Sequence, residues 1–140
     1  MPVRVATLLV IDRQPVVGEW GEQTLSVPGA VLPMAIGGTI GVGVFVEVEV
    51  QPEDTAAQLD VWMYVRPLDE SLQVIDEVSE LVHVLERDVT PIGESAAAVY
   101  QSFIGWIPSY PVQEQQQLWL EARLDNVMQT ERAVSLVSEI

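Results

Sequence analysis

The chain has 140 residues, of which 49% are hydrophobic and 19% charged, and this balance excludes a generally disordered protein. Its length suits a single domain over residues 1–140. It carries 21 acidic residues against six arginines and no lysine, so its formal net charge is −15 at pH 7. Such a chain repels phosphate backbones and anionic membrane surfaces. We therefore expect no nucleic acid and no membrane among its partners.

Cysteine is absent, which excludes a disulfide framework, a thiolate metal site and a cysteine nucleophile. The N-terminus lacks the basic segment, apolar core and cleavage site of a secretory signal. Prolines and glycines interrupt the longest apolar stretch, residues 27–46, so it does not read as a membrane span. We expect a cytoplasmic or particle-associated protein without a signal peptide or transmembrane segment.

The first predicted elements form the N-terminal quarter of the chain. Residues 3–11 are apolar at nearly every position, which predicts a buried first strand. A polar turn at residues 12–15 follows. Residues 16–20 and 24–26 then predict a short return strand that is interrupted near Gly21.

Residues 26–38 form an apolar stretch that contains Pro28, Gly29 and Pro33, so it is expected to be a loop rather than a regular central strand. Two interpretations remain open for it. The loop lies over an open end of the core, or it is a binding lip or a contact with another chain. In the second case its exposed members would be Val31, Leu32 and Met34.

The clearest strand covers residues 39–50, because valine recurs at every second position from Val42 to Val50. The opposite face carries Phe45, Glu47 and Glu49. A strand with one apolar face and one mixed face fits an antiparallel sheet that is packed on one side.

Residues 58–66 show the same alternation, with Trp62 and Tyr64 on the face opposite the aliphatic row. Residues 72–88 are ambiguous. Their apolar positions match one face of a helix, whereas their many β-branched residues match a strand. We favour the strand.

The C-terminal part predicts a strand over residues 97–107, ended by the prolines at 108 and 111, and then a closing hairpin. The hairpin joins residues 118–124 to residues 130–137 through the turn pair Asp125 and Asn126. Seven or eight strands without helical segments between them indicate an all-β, antiparallel β-sandwich. A closed barrel is the competing arrangement.

Candidate chemistry is sparse. His83 is the only histidine and has no recognisable nucleophile beside it. Glu47 and Glu49 share a strand face, but any two alternate residues of a strand have a spacing that suits paired carboxylates. The glycine-rich residues 37–43 lack the lysine and helix start of a phosphate loop. We therefore predict no catalytic residue, no metal ligand and no cofactor, and a protein that is not an enzyme.

The aromatic residues supply the candidate interaction surface, since they alternate with charged residues on the outer strand faces. Protein contact is the favoured function: a non-enzymatic assembly or accessory subunit, of a phage or other particle for example, with a protein partner or self-association. The alternative is a ligand-binding β-sandwich module that takes a sugar or an apolar ligand. The surface comprises Phe45, Trp62, Tyr64 and Trp119, together with Val31, Leu32 and Met34 of the apolar loop.

The order of features resembles a bacterial family that is catalogued as a domain of unknown function. The matching parts are the N-terminal strand through Asp12, the return strand through Trp20, the proline-rich loop, the valine and glutamate strand, and the leucine-rich strand before Asp125 and Asn126. The chain departs from that family where residues 113–117 replace the usual Gly-Tyr entry to the late strand. The resemblance implies a small β-sandwich and carries over no functional residue.

Overall fold

The computed structural model describes residues 3–52, 54–75, 79–91 and 99–138. Within these ranges the regular structure consists of strands, and no helix there is long and apolar enough to cross a membrane. The strands are β1 (Arg4–Ile11), β2 (Val16–Val17), β3 (Gln23–Thr24), β4 (Val31–Met34), β5 (Thr39–Val50), β6 (Ala57–Pro67), β7 (Glu80–Val89), β8 (Val99–Pro111), β9 (Gln116–Leu124) and β10 (Val127–Ser138).

Two sheets face each other. The smaller has the strand order β1-β5-β8, and the larger has the order β4-β10-β9-β6-β7, while β2 and β3 pair as a separate ribbon. Seven of the described strands have eight or more residues. The predicted all-β sandwich is thus confirmed. The competing closed barrel is wrong, because the two sheets keep separate edges.

The aliphatic rows read from the sequence form the core between the sheets. All five valines of β5 from Val42 to Val50 are buried, as are Leu118, Leu120 and Leu124 of β9. Leu59, Val61 and Met63 of β6 join the same cluster. Alternate side chains of a strand point to opposite faces. The remaining residues of β6 and β9 therefore project from the outer face of the larger sheet.

The β9–β10 hairpin closes as predicted. Asp125 and Asn126 have φ angles of 49° and 66°, which places both in the left-handed region that a two-residue hairpin turn needs. Gln58 on β6 secures the turn: its backbone N donates to Asp125 Oδ1 at 2.9 Å, and its carbonyl accepts from Asp125 N at 2.9 Å.

Two expectations about prolines need correction. The apolar stretch 26–38 contains no central strand, as expected, but it is not a loop throughout: residues 31–34 form β4, which includes Pro33 and pairs in parallel with β10. Strand β8 continues past Pro108 to Pro111 rather than ending there. Both β4 and β8 lie at a sheet edge, where one side of the strand has no partner strand to receive an N–H.

The structure supports the strand interpretation of the ambiguous segment 72–88. Its second half belongs to β7, which pairs along β6. Before it, Val74 forms an isolated bridge with Leu68, and Leu72 adopts a φ of 61°. Residues 76–78 lie outside the described ranges, as do residues 97 and 98 at the predicted start of β8.

A buried tyrosine joins β8 to β9. Tyr110 is 9% exposed, and its hydroxyl donates to Gln116 Oε1 at 2.7 Å. Burial, with a smaller contribution from the charge of Glu80, raises the pKa of Tyr110 from 10 to about 12. The side chain of Gln116 also donates to the carbonyl of Glu114 at 3.2 Å.

Tyr110→Phe is expected to lower the free energy of unfolding by about 1–3 kcal/mol at pH 7, because Gln116 Oε1 loses its buried donor. It should also change the alkaline response. The folded state of the native chain holds the tyrosyl proton up to a higher pH than the unfolded state, so this stability is present below pH 10 and is lost as pH rises through about 12. Urea melts between neutral and alkaline pH measure both effects.

The chain suits this measurement because it lacks lysine and cysteine and has three tyrosines. Tyr100→Phe is the matched control, since Tyr100 is 57% exposed, so the loss of its hydrogen bond to Glu49 should destabilise the chain less at pH 7 than the loss of the buried Tyr110 hydroxyl. An alkaline stability loss of equal size in Tyr110→Phe and in the native chain would contradict the assignment to Tyr110.

Candidate functional site

The outer face of the larger sheet carries a row of aromatic side chains with an arginine at each end. Trp62, Tyr64 and Arg66 project from β6, and Trp119 and Arg123 project from β9. The antiparallel register of these strands sets Tyr64 opposite Trp119. All five side chains are half-buried. We call them the arginine-capped row; in spatial order they are Arg66, Trp119, Tyr64, Trp62 and Arg123.

The rings along the row are tilted toward one another at the spacing of interacting aromatic pairs. The centroids of Trp119 and Tyr64 are 5.5 Å apart, and those of Tyr64 and Trp62 are 6.2 Å apart, with interplanar angles of 35° and 37°. Arg66 Cζ lies 3.7 Å from the ring centroid of Trp119, and Arg123 Cζ lies 4.4 Å from that of Trp62. Both guanidinium groups are within the range of cation–π attraction.

Carboxylates fix parts of the row. Trp119 Nε1 donates to Glu131 Oε2 at 3.0 Å. Arg123 donates from Nη2 to Glu121 Oε2 at 2.6 Å and from Nε to the same oxygen at 3.2 Å. The hydrogen bond with Glu121 raises the pKa of Arg123. These contacts orient one indole and one guanidinium before any ligand arrives.

Two donors in the row are shielded from solvent and have no hydrogen-bond partner among the described residues. They are Trp62 Nε1 and Arg66 Nε. Each of these groups donates and does not accept. A buried donor left without an acceptor costs about 1–3 kcal/mol. An oxygen atom that reached either donor would recover part of this cost.

The structure separates the other predicted surface residues from the row. Phe45 lies on β5 in the smaller sheet and is only 8% exposed. Met34 is buried, Leu32 packs against the core, and Val31 is exposed. Of the seven residues predicted from the sequence, the fold brings together Trp62, Tyr64 and Trp119.

The charged residues that alternate with the aromatics in the sequence include Arg66 and Arg123, but the sequence did not predict that these two arginines lie over tryptophan rings. Arg66 is directly opposite Gln117, and it reaches Trp119 diagonally across the pair of strands. Diagonal neighbours of a sheet are within reach of long side chains. The sequence does contain a signal for this contact: an arginine two positions after an aromatic residue, as in Tyr64 and Arg66. The signal cannot be interpreted without the register of β6 against β9, which decides which ring the arginine reaches.

Two other residues weighed in the sequence, Glu49 and His83, lie apart from the row. Glu49 accepts from Arg4 Nη2 at 2.6 Å and from the Tyr100 hydroxyl at 3.0 Å, and these hydrogen bonds, that of Arg4 foremost, lower the pKa of Glu49. His83 lies on β7, opposite Met63 of β6. In the described part of the chain, no three His, Asp or Glu side chains converge as a metal site would require.

The fold and the row together define a class: a two-sheet β-sandwich that presents a row of tilted aromatic rings on one face. No protein-family model matches the chain, and no curated protein matches it significantly. Among solved structures, it is similar to the Pseudomonas fluorescens alkylpurine DNA glycosylase AlkC bound to DNA containing an abasic-site analogue, with a TM-score of 0.53 and 8% identity. The match covers 97% of this chain and 30% of that protein.

This likeness corrects three expectations from the sequence. The non-enzymatic assembly role, the statement that the protein is not an enzyme, and the exclusion of nucleic acid are contradicted, because the protein that shares the fold is an enzyme and is bound to DNA. At this identity the likeness shows the fold alone. It transfers no residue and no role, and the chain spans about 30% of the glycosylase's length.

Proposed function

We propose that this chain is a DNA-contacting β-sandwich module of a DNA-acting enzyme, and that the arginine-capped row stacks on unpaired nucleobases. The row itself carries the proposal. Five planar groups lie in a line on one sheet face. Neighbouring ring centroids are 5.5 and 6.2 Å apart, and a guanidinium group lies at each end. The likeness to a DNA-bound glycosylase supports the same class of partner.

Stacking suits this surface chemically. Every nucleobase has a π face, so aromatic side chains bind bases with little sequence preference, and arginine adds cation–π attraction. The unpaired donors Trp62 Nε1 and Arg66 Nε match the carbonyl oxygens of bases and the phosphate oxygens of the backbone. A base inserted beside Trp62 would thus meet both a ring and a donor.

The charge of the chain determines which kind of binding to expect. A net charge of −15 opposes the counterion-release term that dominates most binding to nucleic acid. Within the row the two cations are Arg66 and Arg123, and Arg123 is already paired with Glu121. The proposed contact therefore depends on stacking. It should favour single strands, whose bases are exposed, over a continuous duplex.

A fluorescence-anisotropy titration with a labelled single-stranded oligonucleotide of about twelve nucleotides tests the proposal, since this length spans one typical binding site. Trp119→Ala and Trp62→Ala should each weaken binding about 5- to 150-fold, the equivalent of one lost stack. Because at most two arginines meet phosphates, log K should fall with log salt at a slope no steeper than about −1.4.

Trp20→Ala is the matched control, because Trp20 is 89% exposed and lies outside the row. It should bind as the native chain does. An oligonucleotide of the same length made of abasic sites keeps the phosphates and removes the bases, and it should bind much more weakly. Equal affinity for the abasic strand, or no binding of the intact strand at about 100 µM protein and low salt, would refute the proposal.

A further inference from the structure

A second feature lies at the open edge of the sandwich, where β1 of the smaller sheet approaches β10 of the larger one. Leu9 and Val10 of β1, Val134 of β10 and the loop of residues 27–30 line a pocket of about 330 Å³. The walls are almost entirely aliphatic. Arg132 of β10 is the one charged residue in the lining.

Backbone hydrogen bonds hold the loop of residues 27–30 at both ends. Asp12 N, just after β1, donates to the carbonyl of Ser26 at 3.1 Å. Ser135 N of β10 donates to the carbonyl of Ala30 at 2.9 Å. The loop is thus tied to both sheets, which makes the pocket a part of the fold rather than a gap beneath a free segment.

Arg132 is positioned by its own hydrogen bond. Its Nε donates to the carbonyl of Leu8 at 3.3 Å. Among the described residues no carboxylate forms an ion pair with its guanidinium, in contrast to Arg4 and Arg123, which have Glu49 and Glu121. In the described part of the chain neither terminal nitrogen of Arg132 has a hydrogen-bond acceptor, so both can bind an anion at the pocket.

We infer that this pocket binds a free monocarboxylate with a medium-length aliphatic chain, with the carboxylate on Arg132 and the chain among Leu9, Val10 and Val134. Arginine presents a planar fork that matches a carboxylate. An aliphatic cavity of about 150 Å³ holds one benzene molecule, so 330 Å³ suits about twice that bulk, a chain of about eight to ten carbons. This site is separate from the arginine-capped row and independent of its function.

Decanoate is the probe, and 1-decanol and decyltrimethylammonium have the same chain with a neutral and a positive head. Calorimetry and methyl NMR of the whole chain should give decanoate a Kd of about 100 µM, with shifts at Val10, Val27 and Val134. Arg132→Gln should weaken decanoate about tenfold or more and leave decanol unchanged. Ala30→Phe should fill the pocket and weaken both ligands.

Arg87→Gln is the matched control: it removes one positive charge outside the pocket and should leave decanoate binding unchanged. Thermal melts of each variant establish that it is folded. The inference is overturned if decanoate shows no binding at about 1 mM, if Arg132→Gln binds it as the native chain does, or if decyltrimethylammonium binds equally well. Shifts confined to residues outside the pocket would overturn it as well.

Discussion

Replacement of Leu120 by alanine should lower the free energy of unfolding by about 2–5 kcal/mol, the range for a truncated core leucine. Leu120 is fully buried in β9, between the two sheets. The lost side chain leaves a cavity that close-packed neighbours such as Met63, its partner on β6, fill only partly. Urea denaturation followed by circular dichroism measures the change. A loss of this size is a large part of a small domain's stability.

Trp119→Ala is the control for Leu120→Ala because the two residues are adjacent in β9 and point to opposite faces. Trp119 is half-buried in the arginine-capped row, so its removal should destabilise the chain less than the loss of Leu120. An equal loss in both variants, in a chain verified as monomeric, would indicate that the outer face is as tightly packed as the core.

Gly43→Ala is expected to destabilise the chain by about 1–3 kcal/mol or more, although it adds a single methyl group. A Cβ at Gly43 would lie 2.5 Å from the carbonyl oxygen of Gly105, 2.8 Å from Trp106 Cε3 and 3.1 Å from Ile11 Cγ1. The first of these atoms belongs to the backbone of β8, so relief requires the pairing of β5 with β8 to shift. Urea melts and the near-ultraviolet signal of Trp106 report the disruption.

Gly29→Ala is the matched glycine control. A Cβ at that position would meet no atom within 4 Å, so the added methyl group should be neutral or slightly stabilising. If Gly43→Ala and Gly29→Ala had the same free energy of unfolding, β5 would not approach β8 at Gly43 as closely as the structure shows.

Local patterns predicted the parts of the fold that depend on one strand at a time. The valine row of β5 and the leucine row of β9 identified the core, because burial on one side imposes a period of two. The pair Asp125 and Asn126 identified a hairpin turn, because both residue types tolerate a positive φ. Each of these features is encoded by residues that are neighbours in sequence.

Strand order and register could not be predicted from the sequence, because they depend on residues that are distant from one another in the chain. Alternation placed Phe45 and Trp62 on outer faces but did not reveal that they belong to different sheets. The parallel pairing of β4 with β10 joins segments from opposite ends of the chain, and Pro33 argued against a strand there. The contact of Arg66 with Trp119 likewise depends on the pairing of β6 with β9.

The tight turn between β9 and β10 has a consequence for how the chain reaches its native state. Two residues separate these strands in the chain, whereas residues 51–98, about a third of the chain, separate β5 from its partner β8. A hairpin of this kind forms in about 1–10 µs, while sheets built from distant segments assemble over milliseconds to seconds. We therefore expect the β9–β10 hairpin to form early and to serve as a template for β6, and we expect closure of the sandwich by the smaller sheet to be the slow step of folding.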